Sequence, residues 1–233
     1  MIGDYVWPGG REPMLRFGPA DTDGAVVLLL LPLFEEHNRT RAFAVTLLRS
    51  LSDLGMGSAL IELPGQGESM VPTEQATLEA WRLAARSAVA AQGAVRPVHL
   101  ASMRGSAIVD SAPGTSSVWR LAPVPGSAVL NDLMRAEAVS GRRNWDSFTI
   151  DSPPARLIGN PIDWALFDGL RADTALVTPP VPLRTVRLES DPAAADVKYP
   201  GTPLWRRSEP GNDSALAAVL AQDLADWVRQ CAG

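Results

Sequence analysis

The sequence predicts an α/β fold: a mostly parallel central sheet with helices on both faces. Two observations lead there. Short, continuous apolar runs recur along the chain, at "AVVLLLLPLF" (25–34), "GSALIEL" (57–63), "RPVHLAS" (96–102) and "SVWRLAPV" (117–124). Strands buried on both faces read this way, whereas half-solvated antiparallel strands alternate. Between these runs lie longer stretches with apolar residues at helical spacing, and strand–helix alternation points to a parallel layer architecture. At 233 residues and 46% hydrophobic, the chain can bury a full core, so one domain over 1–233 is expected.

Each element follows from local chemistry. After the first run comes the loop "PLFEEHN", where Asn38 is a suitable helix cap; Phe43, Leu47, Leu48, Leu51 and Leu54 then share one helical stripe, with Gly55 and Gly57 as stop signals. The second strand leads into the turn "PGQGES", and a helix is predicted from about Thr73 to Gly93 with Leu78, Trp81, Ala85 and Val89 on one stripe. The third strand passes into a short helix at "RGSAIVDSA", the fourth into a helix at "GSAVLNDLMRAEAVSG" (126–141). The stretch 142–182 is rich in Pro, Asp and Trp and is expected to hold a short helix at "PIDWALFDGL", as a small lid or a connection. "LRTVRLESD" (183–191) is another strand, "ADVKYPG" reads as loop, and a final helix runs from Ser214 to about Gln230.

Composition excludes several function classes. A net charge of −5 and a pI near 5.1 argue against nucleic acid as a partner, which needs clustered cations to displace counterions. Lys198 is the one lysine, placed in a loop, so lysine covalent chemistry is not expected. With Cys231 as the single cysteine there is no disulfide framework, and a cytoplasmic location is expected. The start "MIGDYVWPGGREP" lacks the pattern of a secretory signal, and the longest apolar run is too short for a transmembrane span. Neither histidine has a second ligand at a recognised spacing, so neither a metal nor a cofactor is expected. The acid-x-Pro-Gly-Gln turn in "ELPGQGES" is shared with GTPase phosphate loops, but no G-x-x-x-x-G-K-[ST] segment accompanies it.

Three features coincide: a buried strand and loop at "LLLLPLFEEHN", a strand ending in "ELPGQGES", and a strand–turn–helix at "VHLASMRGSA". Together they resemble the N-terminal half of an α/β-hydrolase, with an oxyanion loop, a glycine-rich turn and a nucleophile elbow in that order, and the likeness extends over nearly the whole chain with little or no cap domain. A narrower resemblance rests on "PLFEEHNRTR", "WRLAPVPGSAVLNDLMRAEA" and "TPLWRRSEPGNDSALA", which are similar to the exosortase A system-associated hydrolases. That likeness implies a hydrolase fold linked to exopolysaccharide and exosortase functions, and leaves the substrate open.

The catalytic pattern is incomplete. An elbow needs small residues two before and two after the nucleophile; Ala101 and Gly105 meet that rule around Met103, and a thioether cannot serve as nucleophile. The triad order Ser, acid, His places a histidine before the last helix, where this chain has "SEPGND"; His37 and His99 both precede residue 100. Asp191 holds a suitable acid position but has no base to orient. The leading expectation is therefore a binding or accessory protein with a degenerate triad, its pocket formed by Phe34, Glu35, Glu36, His37, Arg39, Arg104 and Asp191, for a small-molecule, acyl or ester ligand. Glu35, Glu36, Arg39, Arg41 and Arg104 could equally form a salt-bridge network holding loop to elbow. The enzyme alternative is a small-ester or thioester hydrolase or acyltransferase using Ser102 or Ser106 with His37. A third reading gives an exposed apolar patch, including Trp7 or Trp145, to a protein partner.

Overall fold

The computed structural model describes residues 1–19, 24–138 and 145–232. In chain order the elements are β1 (Ile2–Trp7), β2 (Gly10–Phe17), β3 (Val26–Leu30), α1 (Glu35–Asp53), β4 (Gly57–Ile61), α2 (Leu78–Gly93), β5 (Val98–Met103), β6 (Thr115–Leu121), α3 (Gly126–Glu137), β7 (Ala155–Leu157), β8 (Asn160–Ile162), α4 (Trp164–Ala172), β9 (Leu183–Leu188), β10 (Val197–Tyr199) and α5 (Ser214–Cys231). Eight strands form one sheet in the order β1-β2-β4-β3-β5-β6-β9-β10. β2 is antiparallel to both neighbours, and the six strands from β4 to β10 run parallel.

The apolar runs explain the layering. In β3, Val27 and Leu29 face α1 and α5, where Phe43, Leu47, Leu220 and Leu224 form one core. Val26, Leu28 and Leu30 face the other core, with Trp81 of α2 and Leu166 and Phe167 of α4. Burying each such side chain contributes about 1.5–3 kcal/mol, so both faces of β3 anchor the fold. None of the helices among the described residues is long and apolar enough to cross a membrane.

Several boundaries differ from the sequence reading. The β1–β2 hairpin was not foreseen, because in β2 only Glu12 and Met14 are buried and an edge hairpin needs little apolar patterning. Helix α1 starts at Glu35, not after Asn38: Phe34, at φ 57°, takes the cap position, and the two leading glutamates suit the positive end of the helix dipole. Helix α2 starts at Leu78, capped by Thr77, while Thr73–Gln75 is a separate 3-10 turn. The segment after β5 is one 3-10 turn, Arg104–Ile108. Lys198 lies in β10, its Nζ donating to the Asp191 carbonyl at 2.6 Å. The end predicted for the helix at 126–141 falls on residues outside those described, as do 142–144. The rest of 142–182 comprises a 3-10 turn at Trp145–Ser147, the β7–β8 hairpin, and α4, which packs on α3.

The two tryptophans assigned to a docking patch are half-buried against the core. Trp7 donates to Glu12 Oε1 at 3.3 Å, and Trp145 stacks on Phe167 with ring centroids 5.6 Å apart. Each therefore presents only part of its ring to solvent.

Candidate functional site

The strand-to-turn junction at the carboxyl end of β5 sets the site. Met103 is ordinary extended backbone (φ −117°, ψ 127°), fully buried in the α1/α5 core. The residue in the left-handed region is Arg104, at φ 58°. A nucleophile elbow puts its reactive residue on the strained position of the turn, so the tip is Arg104 and the frame is Ser102-Met103-Arg104-Gly105-Ser106, with serine as the small residue on each side. This corrects the assignment of Met103 to the tip by one position. The chemical consequence is similar, because a guanidinium is a permanent cation that only donates hydrogen bonds.

Arg104 is held from several sides. Glu36, in the first turn of α1, grips it bidentately, Nε–Oε2 3.1 Å and Nη2–Oε1 3.2 Å. Its Nη1 donates to the Ala122 carbonyl at 3.3 Å, and its Cζ stands 5.2 Å from the centre of the Trp205 ring. Trp205 belongs to the 3-10 turn Leu204–Arg206, between β10 and α5, the segment from which a triad histidine would come. An indole thus packs beside the tip where an imidazole would be needed. Its carbonyl also accepts from Arg39 Nη1 at 3.1 Å.

Above the tip lies a cleft of about 90 Å³, lined by Glu35, Glu36, Arg39 and Arg104 with apolar walls from Leu33, Val129, Leu133 and Ile158. Four of the seven residues expected in a pocket meet here. Phe34 lines a neighbouring cleft with Glu35, while His37 and Asp191 line neither. Burial pushes the Glu36 carboxyl above its ordinary range, against the opposing pull of Arg104. Burial does the same to Glu35, which Asn160 Nδ2 partly offsets by donating to it. Two half-buried carboxylates and two arginines beyond the ends of parallel strands line the cleft beside its apolar walls, in the region where open α/β sheets bind ligands.

The serines are engaged elsewhere. Ser102 is fully buried and donates to Asp110 Oδ2 at 2.6 Å; Asp110 in turn receives Arg120 Nε at 2.8 Å and Nη2 at 2.7 Å. Ser106 Oγ ties β3 to β5, donating to the Leu30 carbonyl at 3.0 Å while accepting the Met103 N–H at 3.0 Å. His37 Nε2 lies 2.8 Å from Glu62 Oε2, and Arg41 pairs with the other oxygen of the same carboxylate. Burial would raise the Glu62 carboxyl, but these two partners hold it below its ordinary range. His99 Nδ1 bonds Ser117 Oγ at 2.7 Å. Asp191 is bound by Arg187 Nη1 at 2.6 Å and the Ala193 N–H at 3.0 Å. Among the described residues, neither serine has a histidine nitrogen as a partner.

Elbow hydrolases draw one oxyanion donor from the loop after β3. Here the Phe34 N–H in that loop donates to Gln66 Oε1 at 2.7 Å, so an internal acceptor already takes it. Asp110, Arg120, Asn160 and the place of Trp205 beside the tip went unrecognised in the sequence. Arg120 carried a usable signal, because an arginine inside the apolar run "SVWRLAPV" requires a buried acid. Asp110 lies in the loop before β6, Asn160 opens β8 and Trp205 sits in a 3-10 turn, and nothing local marks them. Among the described residues, no three His, Cys, Asp or Glu side chains cluster to hold a metal ion.

No protein-family model matches the chain, and no curated protein sequence matches it. Solved structures do. The chain has the α/β-hydrolase fold, established by its mostly parallel eight-stranded sheet and by similarity to structures of that class. It is similar to the ferulic acid-bound Est1E from Butyrivibrio proteoclasticus (TM-score 0.64, 11% identity, 98% of each chain covered). It is also similar to the mouse α/β hydrolase domain-containing protein 10 (TM-score 0.60, 11% identity, 99% of each chain). A third is a lidless α/β serine hydrolase from Xanthomonas campestris (TM-score 0.53, 13% identity, 99% of this chain and 92% of that one).

Proposed function

We propose that this chain is a non-catalytic member of the α/β-hydrolase fold, a cytoplasmic small-molecule-binding accessory protein linked to exopolysaccharide or exosortase functions. The observation that carries the non-catalytic part is Arg104 at the tip of the elbow, clamped by Glu36 and covered by Trp205. The nucleophile position holds a permanent cation, the base position an indole, and the loop donor is engaged. Ligand binding is supported by the cleft over Arg104, which lies beyond the carboxyl ends of the parallel strands, where open α/β sheets bind ligands, and by the ferulic acid bound to the similar Est1E. The 145–182 segment, with Ile158 in the cleft wall, serves as a small fixed cover. The exopolysaccharide link rests on the three sequence segments quoted above, and the location on the single cysteine.

The test is hydrolysis of short p-nitrophenyl acyl esters by the wild-type chain and by Ser102→Ala, Ser106→Ala and His37→Ala. Weak turnover alone decides nothing, because substrate positioning gives some acceleration without a triad. The expected result is that no substitution lowers whatever rate is found, once each variant is shown to be folded. A hundredfold loss in folded Ser102→Ala or His37→Ala would establish the esterase instead.

A further inference from the structure

The tight turn between β7 and β8 divides two clefts of opposite character. Ile158 enters the wall of the cleft over Arg104, and Asn160, two residues on, enters a second cleft of about 240 Å³. Glu35 lines both. The second cleft is built from amides and hydroxyls, Asn38, Gln66, Asn160, Ser69 and Thr73, with glycine backbone at 65 and 67. Among the described residues lining it, Glu35 carries the only charge. Gln66 is almost fully buried and fixed through both ends of its amide, to the Phe34 N–H and the Gly65 carbonyl, so this surface is organised in advance.

We propose that the two clefts hold the two ends of one amphiphilic molecule, a short aliphatic arm over Arg104 and a neutral, polyhydroxylated head in the second cleft. This deepens the binding function proposed above and rests on it. An anionic head would meet Glu35 with no cation among the lining residues of the second cleft; Gln66, Ser69, Thr73 and Asn160 each bond protein groups already, so a head must supply hydrogen-bonding groups to their remaining protons and lone pairs, which an apolar head would desolvate. In the first cleft the charged lining is engaged, Arg104 with Glu36, Arg39 with the Trp205 carbonyl, Glu35 with Asn160 and Asp132 with Arg135, so an apolar group is received by Leu33, Val129, Leu133 and Ile158. Taking a water as about 30 Å³, about 90 Å³ accepts on the order of three carbons and about 240 Å³ on the order of eight heavy atoms, so a hexose ring seats with its outer edge in solvent.

The probe is n-propyl β-D-glucopyranoside, titrated into the full chain and followed by amide NMR shifts. Methyl β-D-glucopyranoside, 1-propanol and propanoate are titrated in parallel. One saturating curve should move Gly65 and Gly67 on one side and Gly105 and Ile158 on the other. The propyl glucoside should bind about tenfold tighter than the methyl glucoside, the increment of two buried methylenes. Ala136→Phe, at an exposed rim position of the first cleft, should abolish the preference for the propyl over the methyl glucoside. Asn38→Ala should weaken both glucosides by the same factor. Shifts confined to one cleft, equal affinity for the two glucosides, an unaffected Ala136→Phe, tighter binding of propanoate, or no saturable shift would each overturn the proposal. Release of propanol during the titration would instead strike the non-catalytic reading, so the two failures are separable.

Discussion

Replacing Arg104 tests the strain and the charge at the elbow together. Arg104→Ala removes the bidentate contact with Glu36, whose partners have side chains 9% and 23% exposed, together with the bond to the Ala122 carbonyl and the stacking on Trp205. Breaking a buried pair by deleting one partner costs about 3–5 kcal/mol; with Glu36 partly reached by water, about 3 kcal/mol is expected for the whole substitution. Arg104→Gly loses the same contacts, but glycine adopts φ 58° without the roughly 1–2 kcal/mol that a Cβ adds in the left-handed region. Glycine should therefore be the more stable replacement by about 1 kcal/mol, although glycine is usually worse than alanine. Urea unfolding at fixed pH reads both differences, and the melting temperatures should separate by about 2–4 °C. If Arg104→Ala unfolds at the same urea concentration as Arg104→Gly, the turn is not strained at residue 104 and the tip has been misplaced. If neither variant loses stability, the Glu36 clamp contributes nothing.

Other outcomes follow from the same geometry. Asp110→Ala leaves the buried Arg120 guanidinium and Ser102 hydroxyl without their acceptor and should cost about 3–5 kcal/mol by urea unfolding. Gly67→Ala drives a Cβ into Glu62 Oε2 and the His37 ring at φ 54°; a melting scan should show a loss of several degrees, an effect too large for an ordinary exposed loop glycine. Burial raises Asp223, but Arg184, Trp119 and Tyr199 outweigh it and leave its folded pKa below 3.8. Its stabilisation is therefore complete above that unfolded value and lost as pH falls through the folded one. Asp223→Asn should accordingly show a shallower loss of stability below about pH 4 in acid titrations of unfolding, and an unchanged slope would remove this carboxylate from the account.

Much of the layering was legible because parallel strands buried on both faces must be continuously apolar. β3, β4, β5 and β6 each follow from such a run, and α2 and α5 from their apolar stripes. β1, β2 and β10 were not legible, since edge strands are held by backbone pairing and place few side chains in the core. The site was legible in part: Glu35, Glu36, Arg39 and Arg104 do meet beyond the strand ends. The tip was missed because the rule of small flanking residues fits both Ala101/Gly105 and Ser102/Ser106, and only the backbone dihedral separates the two frames. His37 was adjacent to the cleft in sequence but turns away to Glu62, a direction set by its place on α1. Trp205 and Asn160 enter from segments distant along the chain, and no local pattern announces a long-range contact.

The central statement is that the elbow presents a cation and no activated hydroxyl. Incubation of the native chain with an excess of a fluorophosphonate, followed by intact-mass measurement and peptide mapping, addresses it directly. The account predicts an unmodified mass after prolonged exposure; a single phosphonylated serine at position 102 or 106, formed in the native chain and abolished by unfolding, would contradict it.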